Sequence, residues 1–112
     1  MDTFATPTAT ETPQLDIGLM RQHADNACRM MKTLANRDRL MLLCQLSQGE
    51  KRVGELEEVT NIQQPTLSQQ LAVLREEGVV STRRDGKHIY YSICSPIAMS
   101  VMELLYATYC GN

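Results

Sequence analysis

From Ile17 to Ala35 the apolar residues Ile17, Met20, Ala24, Ala27, Met30, Met31 and Leu34 recur at steps of three and four. That spacing lines one face of an α-helix. Asn36 has a side chain suited to capping a helix start. It opens a second helix that carries Leu40, Leu43, Cys44 and Leu46 and stops at Gly49. A short third helix is predicted within residues 51–60, around Leu56 and Val59, and a polar turn follows at Asn61–Gln64. Pro65 stands at a helix's first turn, where the missing N–H removes no hydrogen bond. The helix it opens places Leu67, Leu71 and Leu74 on one face and ends at Gly78.

The pattern then changes to runs rich in β-branched and aromatic residues, Val79–Arg84 and Lys87–Ile93, flanking Asp85–Gly86. Asp-Gly between two such runs predicts a hairpin with a type I′ turn, which needs positive φ at both central positions. Ser95–Pro96 reads as the cap and first residue of a last helix, with Ile97, Val101, Leu104, Leu105 and Thr108 along one face and an end at Cys110–Gly111. The predicted class is α+β, mainly helical, with five or six helices and one β-hairpin. Two helices joined by a short turn and followed at once by a hairpin form a winged helix-turn-helix. In that unit the second helix enters the DNA major groove and the hairpin lies along the backbone or minor groove.

The chain has 112 residues and a formal charge of −2. A chain of this size buries about 65% of its unfolded surface on folding, which leaves room for one small domain and none for a large catalytic cleft. The negative charge opposes a nucleic-acid partner until the charges are placed. Residues 1–15 hold five Thr, two Pro and no Lys or Arg, a composition that cannot offset its own ordering entropy. They are expected to form a disordered tail, with the folded domain spanning 16–112. Asp2 and Glu11 lie in that tail and Asp16 just beyond it; the remainder carries eleven bases against ten acids. No apolar run approaches the roughly 18–20 residues of a membrane span, and no basic start leads into an apolar stretch. A soluble, cytoplasmic chain with reduced thiols is expected. Its cysteines, Cys28, Cys44, Cys94 and Cys110, include no C-x-x-C pair, so neither a thioredoxin-type motif nor a zinc knuckle is offered.

The DNA-reading candidates follow from the helix phase. With Leu67, Leu71 and Leu74 inward, Thr66, Gln69, Gln70 and Val73 point outward, and Ser68 flanks them. Glutamine pairs with adenine at two points, and Thr or Ser reaches phosphates or base edges. Arg83, Arg84, Lys87 and His88 surround the single acid Asp85 at the hairpin tip, a grouping suited to phosphate contact. Arg37 and Arg39 at the start of the second helix extend the same basic surface.

The run Gln64-Pro65-Thr66-Leu67-Ser68-Gln69-Gln70-Leu71, then Leu74-Arg75-Glu76-Glu77-Gly78, then Arg83-Arg84-Asp85-Gly86-Lys87 with Tyr90-Tyr91, resembles the ArsR/SmtB family of small dimeric repressors. Leu34-Ala35-Asn36-Arg37-Asp38-Arg39-Leu40 resembles the segment that opens that family's fold, and the resemblance covers about residues 17–110. It implies a transcriptional repressor, not an enzyme, that binds operator DNA as a homodimer through its first and last helices. It also adds Gln64 to the DNA-binding residues. Metal-sensing members place Cys-x-Cys in the helix before the turn, or Asp and His pairs on the last helix. Here residues 53–58 hold neither Cys nor His, and residues 96–110 hold Glu103 and Cys110 but no His. His23 and His88 read as surface residues, so neither a metal site nor a cofactor is expected.

The cysteine-bearing segments Leu40-Met41-Leu42-Leu43-Cys44 and Leu105-Tyr106-Ala107-Thr108-Tyr109-Cys110 resemble those of the persulfide-sensing BigR/SqrR subgroup. This resemblance implies that Cys44 and Cys110 form a sensing dithiol, that persulfides or polysulfides are the inducers, and that sulfide-detoxification genes are the targets. Such chemistry needs two accessible thiols, one with useful thiolate character. Cys28 and Cys94 read as packing residues, and the seven methionines as core and interface filler. Two other readings stay open: a metal- or arsenite-responsive repressor, and a winged-helix anti-repressor acting through protein contact. A thiol enzyme is remote, since no paired catalytic His and no Gly-rich phosphate loop is present.

Overall fold

The computed structural model describes residues 15–111; the expected tail, apart from Leu15, lies outside them. Asp16 accepts a hydrogen bond from the Leu19 N–H at 3.2 Å and starts α1, Ile17–Leu34. Asn36 accepts from the Arg39 N–H at 3.0 Å and starts α2, Arg37–Leu46. β1 (Lys51–Arg52), α3 (Val53–Thr60) and α4 (Thr66–Glu76) follow, then β2 (Val80–Asp85), β3 (His88–Ile93) and α5 (Pro96–Tyr109). Ser95 caps α5 by accepting from the Ala98 N–H at 3.1 Å. These five helices and three strands form a winged helix-turn-helix.

The core gathers Leu42, Leu43 and Leu46 of α2, Leu56 of α3, Leu67, Leu71 and Leu74 of α4, Val79 and Val80, and Ala98 and Met102 of α5. Each fully buried leucine of α4 contributes about 1.5–3 kcal/mol of apolar transfer. Together they press the opposite face of α4 outward. The turn between α3 and α4 is less polar than its sequence suggests. Asn61 adopts a left-handed conformation (φ 61°) that ends α3, and Ile62 drops into the core.

The structure corrects three expectations. The hairpin is extended by β1, giving an antiparallel sheet in the order β1-β3-β2, with Lys51 opposite Tyr91 and Arg52 opposite Tyr90. Asp85 pairs with His88, so the turn residues are Gly86 and Lys87 rather than Asp85 and Gly86. Only Gly86 has positive φ (65°), the pattern of a type II′ turn rather than type I′. The core face of α5 is Ala98, Val101, Met102 and Leu105, while Ile97, Leu104 and Thr108 are exposed. The helix is apolar on more than one side, so spacing alone did not select the buried one.

α1 is attached to the domain near its C-terminal end. Residues 15–29 are exposed throughout, Met30 is half-buried, and Thr33 and Leu34 are buried. Arg29 forms a two-point pair with Glu77 just past α4, with Nε–Oε1 at 2.7 Å and Nη2–Oε2 at 3.1 Å. Hydrogen bonding from Arg29 holds the Glu77 carboxyl below the usual carboxylate range. A depressed carboxylate pKa adds stability above its unfolded value, and that stability is lost as pH falls through the folded one. The melting-temperature gap between wild type and Glu77→Gln should therefore close as pH is lowered through the acid range. A gap independent of pH would show that the pair does not contribute through its charge.

Candidate functional site

The reading surface is built on α4 and the sheet. Ser68 and Gln69 are exposed on α4, Ala72 is exposed beside them, and Thr66, Gln70 and Val73 are half-buried. Two of the glutamines have work inside the molecule. Gln64 accepts from the Ser68 N–H at 3.0 Å and so satisfies one free donor at the start of α4. Gln70 accepts at Oε1 from Arg39 Nη1 at 2.7 Å. Arg39, half-buried, also donates to the Thr33 carbonyl at 2.7 Å and the Lys32 carbonyl at 3.3 Å. It sits between α1 and α4 instead of extending the open basic surface with the exposed Arg37.

At the wing, Arg84, Lys87 and His88 are exposed, and neither Arg84 nor Lys87 has an ion-pair partner among the described residues. Arg83 differs. Its guanidinium pairs with Glu50, with Nε–Oε2 at 2.9 Å, and lies 4.5 Å from the centre of the Tyr90 ring. Hydrogen bonding to Glu50 raises the Arg83 pKa, and the pairing lowers that of Glu50. Arg83 thus braces the middle of the wing, while Arg84 and Lys87 present the free positive charge.

A second feature lies between α2 and α5. An open apolar groove of about 420 Å³ is lined by Leu40, Met41 and Cys44 of α2 and by Met102, Leu105, Tyr106, Tyr109 and Cys110. Cys44 is half-buried and Cys110 exposed, and both are free thiols. The groove brings together the two cysteines that the sequence had paired only through resemblance. Its methionines were read only as core and interface filler and its tyrosines had no assigned role, although Met102, Tyr106 and Tyr109 stand at helical steps of four and three. Cys28 and Cys94 are exposed, unlike the packing residues expected of them; Cys94 donates weakly to the Gly78 carbonyl at 3.4 Å. No group of three or more His, Cys, Asp or Glu suited to a metal ion occurs among the described residues. Among those residues no helix is long and apolar enough to cross a membrane.

A helix-turn-helix with a basic three-stranded wing defines a winged-helix DNA-binding regulator. Residues 36–82 match the family described as bacterial regulatory protein, arsR family. The chain is 50% identical to the biofilm growth-associated repressor of Agrobacterium fabrum, over 91% of this chain and 94% of that one. It is 37% identical to the transcriptional activator HlyU of Vibrio cholerae, over 81% and 84% of the two chains. The crystal structure of the repressor BigR from Xylella fastidiosa superposes with a TM-score of 0.78 at 44% identity, covering 88% of this chain and all of that one. Reduced HlyU from Vibrio cholerae gives 0.79 at 37% identity, over 82% and 97%. This chain belongs to the arsR family of bacterial transcriptional regulators, and these relatives are regulators, not enzymes.

Proposed function

We propose that this protein is a homodimeric repressor that releases operator DNA when Cys44 and Cys110 react with persulfides. The observation that carries the reading is the shared apolar groove, which holds one thiol from α2 and one from the end of α5. A relative named as a biofilm growth-associated repressor supports the repressor role. One described as reduced HlyU is in keeping with redox chemistry. Sulfide-detoxification genes are the proposed targets.

The chemistry balances without a further oxidant. One cysteine thiolate attacks the sulfane sulfur of an organic persulfide, forming a protein persulfide and expelling the organic thiolate. The second thiolate then attacks the inner sulfur of that persulfide, closing a disulfide and expelling hydrosulfide. If the second cysteine is itself persulfidated, the same attack closes a trisulfide. Either bridge ties α5 to α2, the helix whose Arg39 is bonded to α4. A 100-fold loss of DNA affinity requires about 2.7 kcal/mol of coupling. Mass spectrometry of persulfide-treated protein should give a Cys44–Cys110 linkage as the main product. A linkage through Cys28 or Cys94 in its place would contradict the reading.

The dimer is proposed through α1 and α5, which expose Ile17, Leu19, Met20 and Met31 on one helix and Ile97, Leu104, Tyr106 and Tyr109 on the other. A helix of 18 residues, about 27 Å long at 1.5 Å per residue, needs tertiary packing for most of its stability. α1 finds little of it within one chain. The proposed DNA surface comprises Gln64, Thr66, Ser68, Gln69 and Gln70 with Arg83, Arg84, Lys87 and His88, and Arg84 and Lys87 supply most of the phosphate attraction. Lys87→Ala should weaken operator and unrelated DNA alike and reduce the salt slope of binding by about 0.9, the value of one phosphate contact. An unchanged slope would remove Lys87 from the interface.

A further inference from the structure

We infer that Arg39 is a positioning residue for DNA reading: it fixes the orientation of the Gln70 amide, with the carbonyl oxygen turned to Arg39 and the NH₂ end left for the operator. Arginine has donors and no acceptor, so Nη1 can bond only to the carbonyl end of the Gln70 amide. The observed 2.7 Å contact therefore determines which way the amide faces. With Oε1 turned to Arg39, the NH₂ group is the end left to face outward.

This changes what Gln70 can recognise. Two-point pairing with adenine needs the carbonyl to accept from the base amino group while the amide donates to the ring nitrogen. With one lone pair of Oε1 taken by Arg39, Gln70 presents its NH₂ first, donating to a purine ring nitrogen, which adenine and guanine share in the major groove, or to a phosphate oxygen. Gln70 so held contributes chiefly affinity and register, and the exposed Gln69 is the freer adenine reader.

The remaining donors of Arg39 join this contact to the rest of the molecule. Nε and Nη2 bond the Thr33 and Lys32 carbonyls in the last turn of α1. One guanidinium therefore connects the C-terminal end of α1, the start of α2 and the outward side of α4. A shift of α1 relative to α2 is felt at the reading surface through a single side chain. This inference does not depend on the dithiol reading, because it concerns reduced protein only.

The test is a double-mutant cycle on reduced, full-length protein with a footprinted operator duplex, using Arg39→Met, Gln70→Leu and the combination. Each single variant should bind about tenfold more weakly, and the double variant no more weakly than Gln70→Leu alone. The salt slope of Arg39→Met should equal that of wild type, because Arg39 positions a neighbour and touches no phosphate. Losses that multiply to about 100-fold would overturn the inference. So would a slope reduced by about 0.9, which would make Arg39 a phosphate contact, or full affinity in Arg39→Met. If Arg39→Met does not fold by circular dichroism, Arg39→Gln, whose amide can accept as well as donate and so no longer fixes which way Gln70 faces, replaces it in the same cycle, judged by the same outcomes.

Discussion

Leu104→Glu is expected to turn the proposed dimer into a monomer and to weaken operator binding by more than about 100-fold, equivalent to about 2.7 kcal/mol. Leu104 is 65% exposed on α5, on the side away from Ala98 and Met102. A charge there meets water in the monomer, where surface substitutions usually shift stability by less than about 0.5 kcal/mol. In the proposed dimer the same charge enters an apolar interface without a partner, a costly arrangement. Operator binding falls with it because two reading helices must engage half-sites about one DNA turn apart, and tethering raises affinity well beyond that of one reader. Sedimentation and an operator titration on the same sample measure both effects. A stable dimer that still binds its operator would move the interface away from this face of α5.

Leu71→Ala is expected to cost about 2–5 kcal/mol of stability, the range for deleting a buried leucine side chain. Leu71 is 1% exposed, midway along α4, and packs within the central leucine cluster. Small domains have about 5–15 kcal/mol in total, so the variant loses a large share, and urea unfolding should show a clearly lowered midpoint. Gln69→Ala, one turn's face away and exposed, should stay within about 0.5 kcal/mol of wild type while losing operator affinity. If the two variants were equally stable, α4 would not be anchored through its leucine face.

Much of the frame was legible in the sequence because it is local. Asn36 and Ser95 act within three residues of the N–H groups they cap. The leucines of α4 repeat at helical steps, and the two strands flank one glycine turn. What escaped depends on partners distant along the chain. Lys51 and Arg52 carry no strand pattern and become a strand only because Tyr90 and Tyr91, about forty residues later, accept them at the sheet edge. Gln70 looks like a free base reader until Arg39, 31 positions earlier, takes its carbonyl. Arg83 looks like a free cation until Glu50 is found beside it.

The candidate site divides the same way. Cys44 and Cys110 were paired by resemblance, and the groove between α2 and α5 gives that pairing a physical setting. The place of Tyr106, Tyr109 and Met41 in the groove came only with the structure, since their helical spacing fits core packing equally well. On α5 an apolar surface on more than one side hid which stripe was core. The exposed stripe, with Ile97 and Leu104, is the one now proposed for the dimer.

The Cys44/Cys110 groove is proposed to control DNA binding, and one titration addresses this directly. Operator affinity of reduced and persulfide-treated wild type is compared with that of Cys44→Ser/Cys110→Ser under both conditions. All four samples are measured at one salt concentration, because phosphate contacts make affinity salt-dependent. The predicted result is a loss of about 100-fold or more, about 2.7 kcal/mol, in treated wild type, with no change in the treated double variant. Release of DNA by the treated double variant to the same extent as wild type would contradict the account.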